Sequence, residues 1–138
     1  PPGTSDEPIS IAQLIPALDG AIVVTTPQEV ALLDSRKAVN MFLMMNVPML
    51  GIVENMSGLI CPHCGQKIDV FKTGGGQSAA QELGVPFLGE IPLHMSIRTT
   101  SDDGNPVVAS EPDGPNAAIY RAIGTKVRDQ LQGVIAAA

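Results

Sequence analysis

The apolar positions of this chain fall into two patterns. Short unbroken runs alternate with longer stretches in which apolar residues recur every three or four positions. Ala21-Ile22-Val23-Val24-Thr25 is such a run, rich in β-branched residues. A run of this kind predicts a strand covered on both faces, as in a parallel sheet. Thr26-Pro27 ends it, and Pro27 suits the first turn of a helix, where its missing N–H costs nothing. Helix formers dominate from Gln28 to Asn46. Met49-Leu50-Gly51-Ile52-Val53 predicts a second strand after Pro48, and Val85 to Ile91 a third. Between them a helix around Gln77–Leu83 closes on Gly84, a residue suited to a left-handed C-terminal cap. A short helical or irregular segment follows Pro92 as far as Gly104. A last helix starts near Pro115, and its stripe Ile119, Ile123, Val127, Leu131 faces a core.

The order strand–helix–strand–insert–helix–strand–helix predicts an α/β fold, a parallel sheet flanked by helices with right-handed crossovers. At 138 residues the chain is long enough for one domain spanning 1–138. Residues 55–76 do not fit a plain crossover. They read as an insert at the carboxyl end of the second strand, the edge where ligands of open α/β sheets gather. One position in the first long helix is odd: Asp34 falls beside Val30, Ala38 and Met41, away from the polar arc of Glu29, Arg36, Lys37 and Asn40. A carboxylate on an apolar flank is costly unless paired. It predicts either a helix-edge position that reaches water or a cation, or a contact to a partner subunit or nucleotide.

Composition narrows the function. Eight Lys and Arg against 14 Asp and Glu give a net charge of −6, which speaks against a nucleic-acid partner. No apolar run reaches the roughly 18 residues of a membrane span, so no membrane partner is expected. The chain opens on Pro1-Pro2-Gly3-Thr4 with no signal peptide visible, and reads as cut from something longer. Aromatics make up 3%, leaving the core to aliphatics and methionines. Two cysteines without a wider disulfide framework fit a reducing, cytoplasmic setting.

Those two cysteines stand in Cys61-Pro62-His63-Cys64-Gly65. Two thiolates at this spacing can face one metal from a single turn, which Pro62 stiffens and Gly65 leaves with positive φ. Most sulfur sites for zinc or iron–sulfur clusters need four ligands. The chain offers two thiolates and two histidines, His63 and His94. The motif is therefore half a metal site (iron–sulfur, or zinc pinning a dimer), a dithiol oxidoreductase centre, or a structural pair. A redox dithiol needs its first Cys at a helix N-terminus, whereas Gln66 to Phe71 alternates like a short strand. Half a metal site fits the local pattern best.

Other candidates are weaker. In Lys72-Thr73-Gly74-Gly75-Gly76-Gln77-Ser78 the Lys precedes the glycines, the reverse of a phosphate loop, so the stretch reads as a flexible glycine lead-in to a helix. Asn55 follows the second strand and could read the polar edge of a base, or be a turn residue. Gly3 could offer its N–H to a phosphate oxygen. His63 reads as a loop residue and His94 as a surface or helix-start residue. No constellation suggests hydrolytic chemistry, so no catalytic residue is assigned.

The signals occur in one order: Pro-Pro-Gly-Thr, Val-Thr-Thr-Pro-Gln-Glu-Val-Ala-Leu with Asp34, Gly-Ile-Val-Glu-Asn-Met-Ser, Cys-Pro-His-Cys-Gly, Gly-Gly-Gly, and Leu-Gly-Val-Pro-Phe-Leu-Gly-Glu-Ile-Pro-Leu. Through nearly all of residues 1–130 this resembles the Mrp/ApbC family of iron–sulfur cluster carriers. These are P-loop ATPases of the MinD/ParA-like class with a deviant Walker A loop. The resemblance implies a P-loop NTPase-like sheet and a homodimer. It implies a [4Fe–4S] cluster bridging two subunits through Cys61 and Cys64 of each, delivered to apo iron–sulfur proteins and received from cluster scaffold proteins. It places Gly3 and Thr4 at the switch II turn, Asn55 at the adenine, Pro92 beside the base, and Asp34 at an acidic family position. The family's Walker A loop, its N-terminal strands and the switch II Asp would precede residue 1. Without them the ATP and Mg²⁺ clamp is incomplete, and ATP hydrolysis by this piece is not expected. Ser5 stands where the family often has Gly, and His94 where it often has Asp.

Overall fold

The computed structural model describes residues 6–15 and 18–137. Its elements are α1 (Asp6–Leu14), β1 (Ala21–Thr25), α2 (Glu29–Met44), β2 (Met49–Ile60), β3 (Lys67–Ile68), α3 (Gly75–Leu83), β4 (Phe87–Leu93), α4 (Met95–Asp102), α5 (Val107–Ser110) and α6 (Pro115–Ala137). The expected α/β architecture is present. β2 lies between β1 and β4 and runs parallel to both, with Val23 opposite Ile52 and Ile52 opposite Phe87. Among the described residues β1 has a strand neighbour on one side only, and its Ile22 and Val24 are 41% and 61% exposed.

Side-chain alternation along β2 builds a layer on each face of the sheet. Ile52 joins Val23, Ala38, Val39 and Ala80, so α2 and α3 cover one face. Val53 joins Leu88 and Ile91 on the other face, where Ile119, Ile123 and Val127 of α6 pack. Three of the four residues in the predicted α6 stripe therefore reach the core. Ile52, Val39, Leu32 and Leu88 are almost wholly removed from water, each contributing roughly 1.5–3 kcal/mol of burial. No described helix is long and apolar enough to cross a membrane.

The structure departs from the sequence-based expectation in three places. α1 precedes the first strand. β2 does not stop at Val53 but continues to Ile60, its second half held by β4 (Leu59 opposite Leu93) and by β3 (Leu59 opposite Ile68, Ile60 opposite Lys67). The strand-like alternation after Gly65 condenses to two residues of regular strand, antiparallel to the end of β2. The cysteines thus sit in the turn of a β-hairpin that extends the central strand. α3 closes on Gly84 at φ 66°, as its sequence predicts.

Candidate metal centre

The Cys61–Cys64 turn is closed by its own backbone. The Gly65 N–H donates to the Cys61 carbonyl, and the Cys61 N–H donates to the Gln66 carbonyl, both at 2.9 Å. Gly65 takes φ 71°, the left-handed conformation that turns the chain back along β2. Both thiols are free, Cys61 half-buried and Cys64 exposed. The Cys61 thiol is held below its ordinary range, first by the His63 backbone N–H, then by the Cys64 backbone N–H and the Cys64 thiol; slight burial opposes them. Amides aimed at sulfur favour the thiolate, the form that binds metal. Neither cysteine lies in or at the start of a helix, so the helix-dipole activation of a redox dithiol is missing. Among the described residues, no group of three or more His, Cys, Asp or Glu side chains comes together to hold a metal ion. His63 stays in the exposed turn, so among the described residues the turn brings two thiols together and no further metal-binding side chain.

The hairpin leans on the end of β4. The Ser57 hydroxyl, itself buried, donates to Glu90 Oε2 at 2.9 Å, and Lys67 Nζ lies 4.0 Å from the same oxygen. These groups line a cavity of about 360 Å³ with Pro92, His94 and Asn116.

Glu54 is a functional candidate that the sequence reading passed over. It occupies β2 directly before Asn55 and is 0% exposed. Its two carboxylate oxygens accept the N–H groups of Gly74 (2.9 Å) and Gly76 (2.5 Å) at the start of α3. One signal could have found it: a charged residue prolonging an apolar run that is covered on both faces. The carboxylate also corrects the reading of Gly74-Gly75-Gly76 as a flexible lead-in. Gly74 has φ 81°. A Cβ on Gly75 would stand 2.7 Å from Leu32 Cδ1 and 3.0 Å from the Pro27 carbonyl, and one on Gly76 would stand 3.0 Å from Glu54 Cβ. Each glycine is required for its own reason. A phosphate at this helix N-terminus would have to displace Glu54.

The remaining expected residues are dispersed. Asn55 Oδ1 accepts the N–H of Met56 at 2.9 Å. Its side chain lines a cavity of about 610 Å³ beside β1, with Pro8, Thr26, Asp34 and Phe42. Pro92 lines the other cavity, so these two residues are not brought together in one pocket. Asp34 is exposed and lies 3.7 Å from Lys37, a helix-edge position paired with a cation. His94 caps α4, its Nδ1 accepting the Ser96 N–H at 3.2 Å. Gly3 and Thr4 lie outside the described residues.

Comparison with known proteins bears on this geometry. Residues 1–128 match the ParA family model, described as NUBPL iron-transfer P-loop NTPase. An iron-sulfur cluster carrier protein of Methanocaldococcus jannaschii is 56% identical over 108 residues, covering 78% of this chain and 37% of that protein. The iron-sulfur cluster carrier protein of Escherichia coli is 47% identical, covering 95% and 35%. The iron-sulfur cluster transfer protein NUBPL of Dictyostelium discoideum is 45% identical, covering 96% and 41%. The chain thus spans less than half the length of these relatives. Among solved structures, a nucleotide-binding protein of Archaeoglobus fulgidus in complex with ADP aligns with TM-score 0.66 and 36% identity over 76% of this chain and 43% of that one. The cell-division ATPase MinD of Pyrococcus furiosus shares the fold, with TM-score 0.61 over 80% of this chain and 43% of that one at 22% identity.

Proposed function

The chain belongs to the ParA family of NUBPL-type iron-transfer P-loop NTPases, and from that premise we propose that it is the cluster-bearing portion of an ATP-dependent iron–sulfur carrier. The observation that carries the reading is the hairpin turn with two free thiols and, among the described residues, no third ligand within reach. Two copies of the chain supply four thiolates, the number a [4Fe–4S] cluster takes. The cluster is cargo, so a homodimer holds it between two hairpin tips. An exposed turn at the end of a strand suits a site that must meet an acceptor, and apo iron–sulfur proteins are the recipients. Free thiols fit a reducing compartment such as the cytoplasm.

The described residues fit only part of the nucleotide that the family implies. Asn55 has its Nδ2 available and stands at the edge of a cavity of about 610 Å³ walled by Ile22, Val24 and Phe42. That arrangement fits a base. Among the described residues no Lys or Arg lines the cavity, and the N–H groups of Gly74 and Gly76 are taken by Glu54. The triphosphate and Mg²⁺ are therefore assigned to the longer family protein. Gly3 and Thr4 at the switch II turn complete the nucleotide side of the proposal, and Pro92, which lines the other cavity, is left out of it. In that protein the nucleotide supplies the energy that changes the dimer, and with it the exposure of the cluster.

Anaerobic reconstitution with iron and sulfide tests the centre. It should give a thiolate-to-iron absorption band and about four irons per dimer, both lost in Cys61→Ser and Cys64→Ser. A band unchanged in those variants, or tightly held zinc in place of iron, overturns the assignment.

A further inference from the structure

We propose that Glu54 is the positioning residue of the cysteine turn: it fastens the return end of the 55–73 loop to β2 and so sets where Cys61 and Cys64 are presented. A wholly buried carboxylate must be compensated. Among the described residues no cation pairs with Glu54, and its two oxygens are satisfied by the backbone amides of Gly74 and Gly76. The start of α3 adds the favourable end of its dipole. These bonds join residues 20 and 22 positions apart and close the base of the loop that carries the cysteines.

The other ties of this loop are of a different kind. β3 contributes two residues of ladder. Ser57 fastens the outgoing strand to Glu90, and Lys67 reaches the same carboxylate from an exposed position. Lys72 pairs with Glu29 at 3.9 Å on the surface. Glu54 is the buried tie on the return side. Glutamate suits the role because both oxygens accept. Glutamine would turn an NH₂ group toward one of the two glycine amides and leave that amide unbonded in the interior. Alanine at Gly76 would press on the same clamp from the other side, since its Cβ would stand 3.0 Å from Glu54 Cβ and 3.1 Å from Oε2.

The consequence for cargo rests on the proposed cluster function, whereas the consequence for the loop does not. Hydrogen exchange of the apo chain is compared between the wild type and Glu54→Gln, peptide by peptide. Exchange should rise about tenfold or more across residues 55–76, the effect of losing one buried charge-assisted bond, with β1 and β4 near their wild-type rates. With the cluster loaded, a chelator should bleach the iron–thiolate band of Glu54→Gln about tenfold faster than that of the wild type. Equal exchange in the loop, or a rise shared evenly by every strand, overturns the proposal; the second result would make Glu54 a general stability residue. A wild type that takes up no cluster sinks the carrier reading and leaves the exchange test standing. Should Glu54→Gln fail to fold, Gly76→Ala decides: a loop-confined rise in exchange supports the clamp, and a wild-type pattern refutes it.

Discussion

Alanine at Gly75 gives the sharpest test of how α3 docks on α2. The new methyl would stand 2.7 Å from Leu32 Cδ1 and 3.0 Å from the Pro27 carbonyl oxygen. Leu32 is 2% exposed, so its side chain has nowhere to retreat. Overpacking of this kind costs about 1–3 kcal/mol, and the better helix propensity of alanine returns up to ~1 kcal/mol. The net loss for Gly75→Ala therefore lies between about 0 and 3 kcal/mol. Leu32→Ala alone opens a cavity and costs about 2–5 kcal/mol. Together the two changes should partly cancel, because the added methyl occupies space that the leucine leaves. The double variant should be less destabilised than the sum by about 1 kcal/mol or more, within the range for side chains in contact. Gly74→Ala is the control. Its Cβ meets nothing within 4 Å, so it pays only for φ 81° and should add to Leu32→Ala without coupling. Urea unfolding followed by far-ultraviolet circular dichroism measures all five variants. Additivity of Gly75→Ala with Leu32→Ala to within about 0.5 kcal/mol would refute the packing argument.

Two further outcomes follow from the electrostatics. Arg36 contacts Glu82 through Nε at 3.1 Å and Nη2 at 2.9 Å, but both side chains remain open to water, so Glu82→Gln should cost no more than about 1 kcal/mol and less in high salt; a larger, salt-independent loss by urea unfolding would contradict this. Burial holds the Tyr120 phenol above its ordinary range. Folding then favours the protonated phenol, so its stabilising contribution is complete below the ordinary tyrosine pKa and disappears as pH rises through the folded value. An absorbance titration with a phenolate onset at or below that of free tyrosine would reject it.

The fold was legible where local pattern and tertiary environment agree. Met49–Val53 is apolar on consecutive positions because helices cover both faces of the sheet there, and that arrangement leaves its mark in sequence. Ala21–Thr25 reads the same way, yet among the described residues only its Val23 and Thr25 face is covered, and Ile22 and Val24 are exposed. The second half of β2 was not legible. Glu54-Asn55-Met56-Ser57-Gly58 reads as a loop, and Met56 and Gly58 do take positive φ. What carries the strand on across them is pairing of Glu54, Asn55 and Leu59 with β4 and of Leu59 and Ile60 with β3, much of it far along the chain. Asp34 was recognised as misplaced on an apolar flank, yet Val30 and Leu33 on the same helix are themselves exposed, and Lys37 one turn on answers the charge. At the candidate site, the spacing of Cys61 and Cys64 was enough to suggest half a centre. The three glycines looked like slack because the groups that demand them, Pro27, Leu32 and Glu54, lie 20 or more residues upstream. Spacing in sequence reports neighbours on one turn; it is silent about neighbours across a sheet.

Among the described residues β1 is paired on one side only, and that bears on how these 138 residues refold when made by themselves. A short strand with an open flank, and with Ile22 and Val24 facing water, can be extended by any other chain that arrives in extended form. Parallel pairing of β1 with β2 must also wait for α2 to form between them, which lengthens the time that flank is bare. Yield of native protein should therefore depend on concentration, falling as chains crowd. A lysine at position 24 would guard the flank without touching the cysteine turn at the far end of the neighbouring strand.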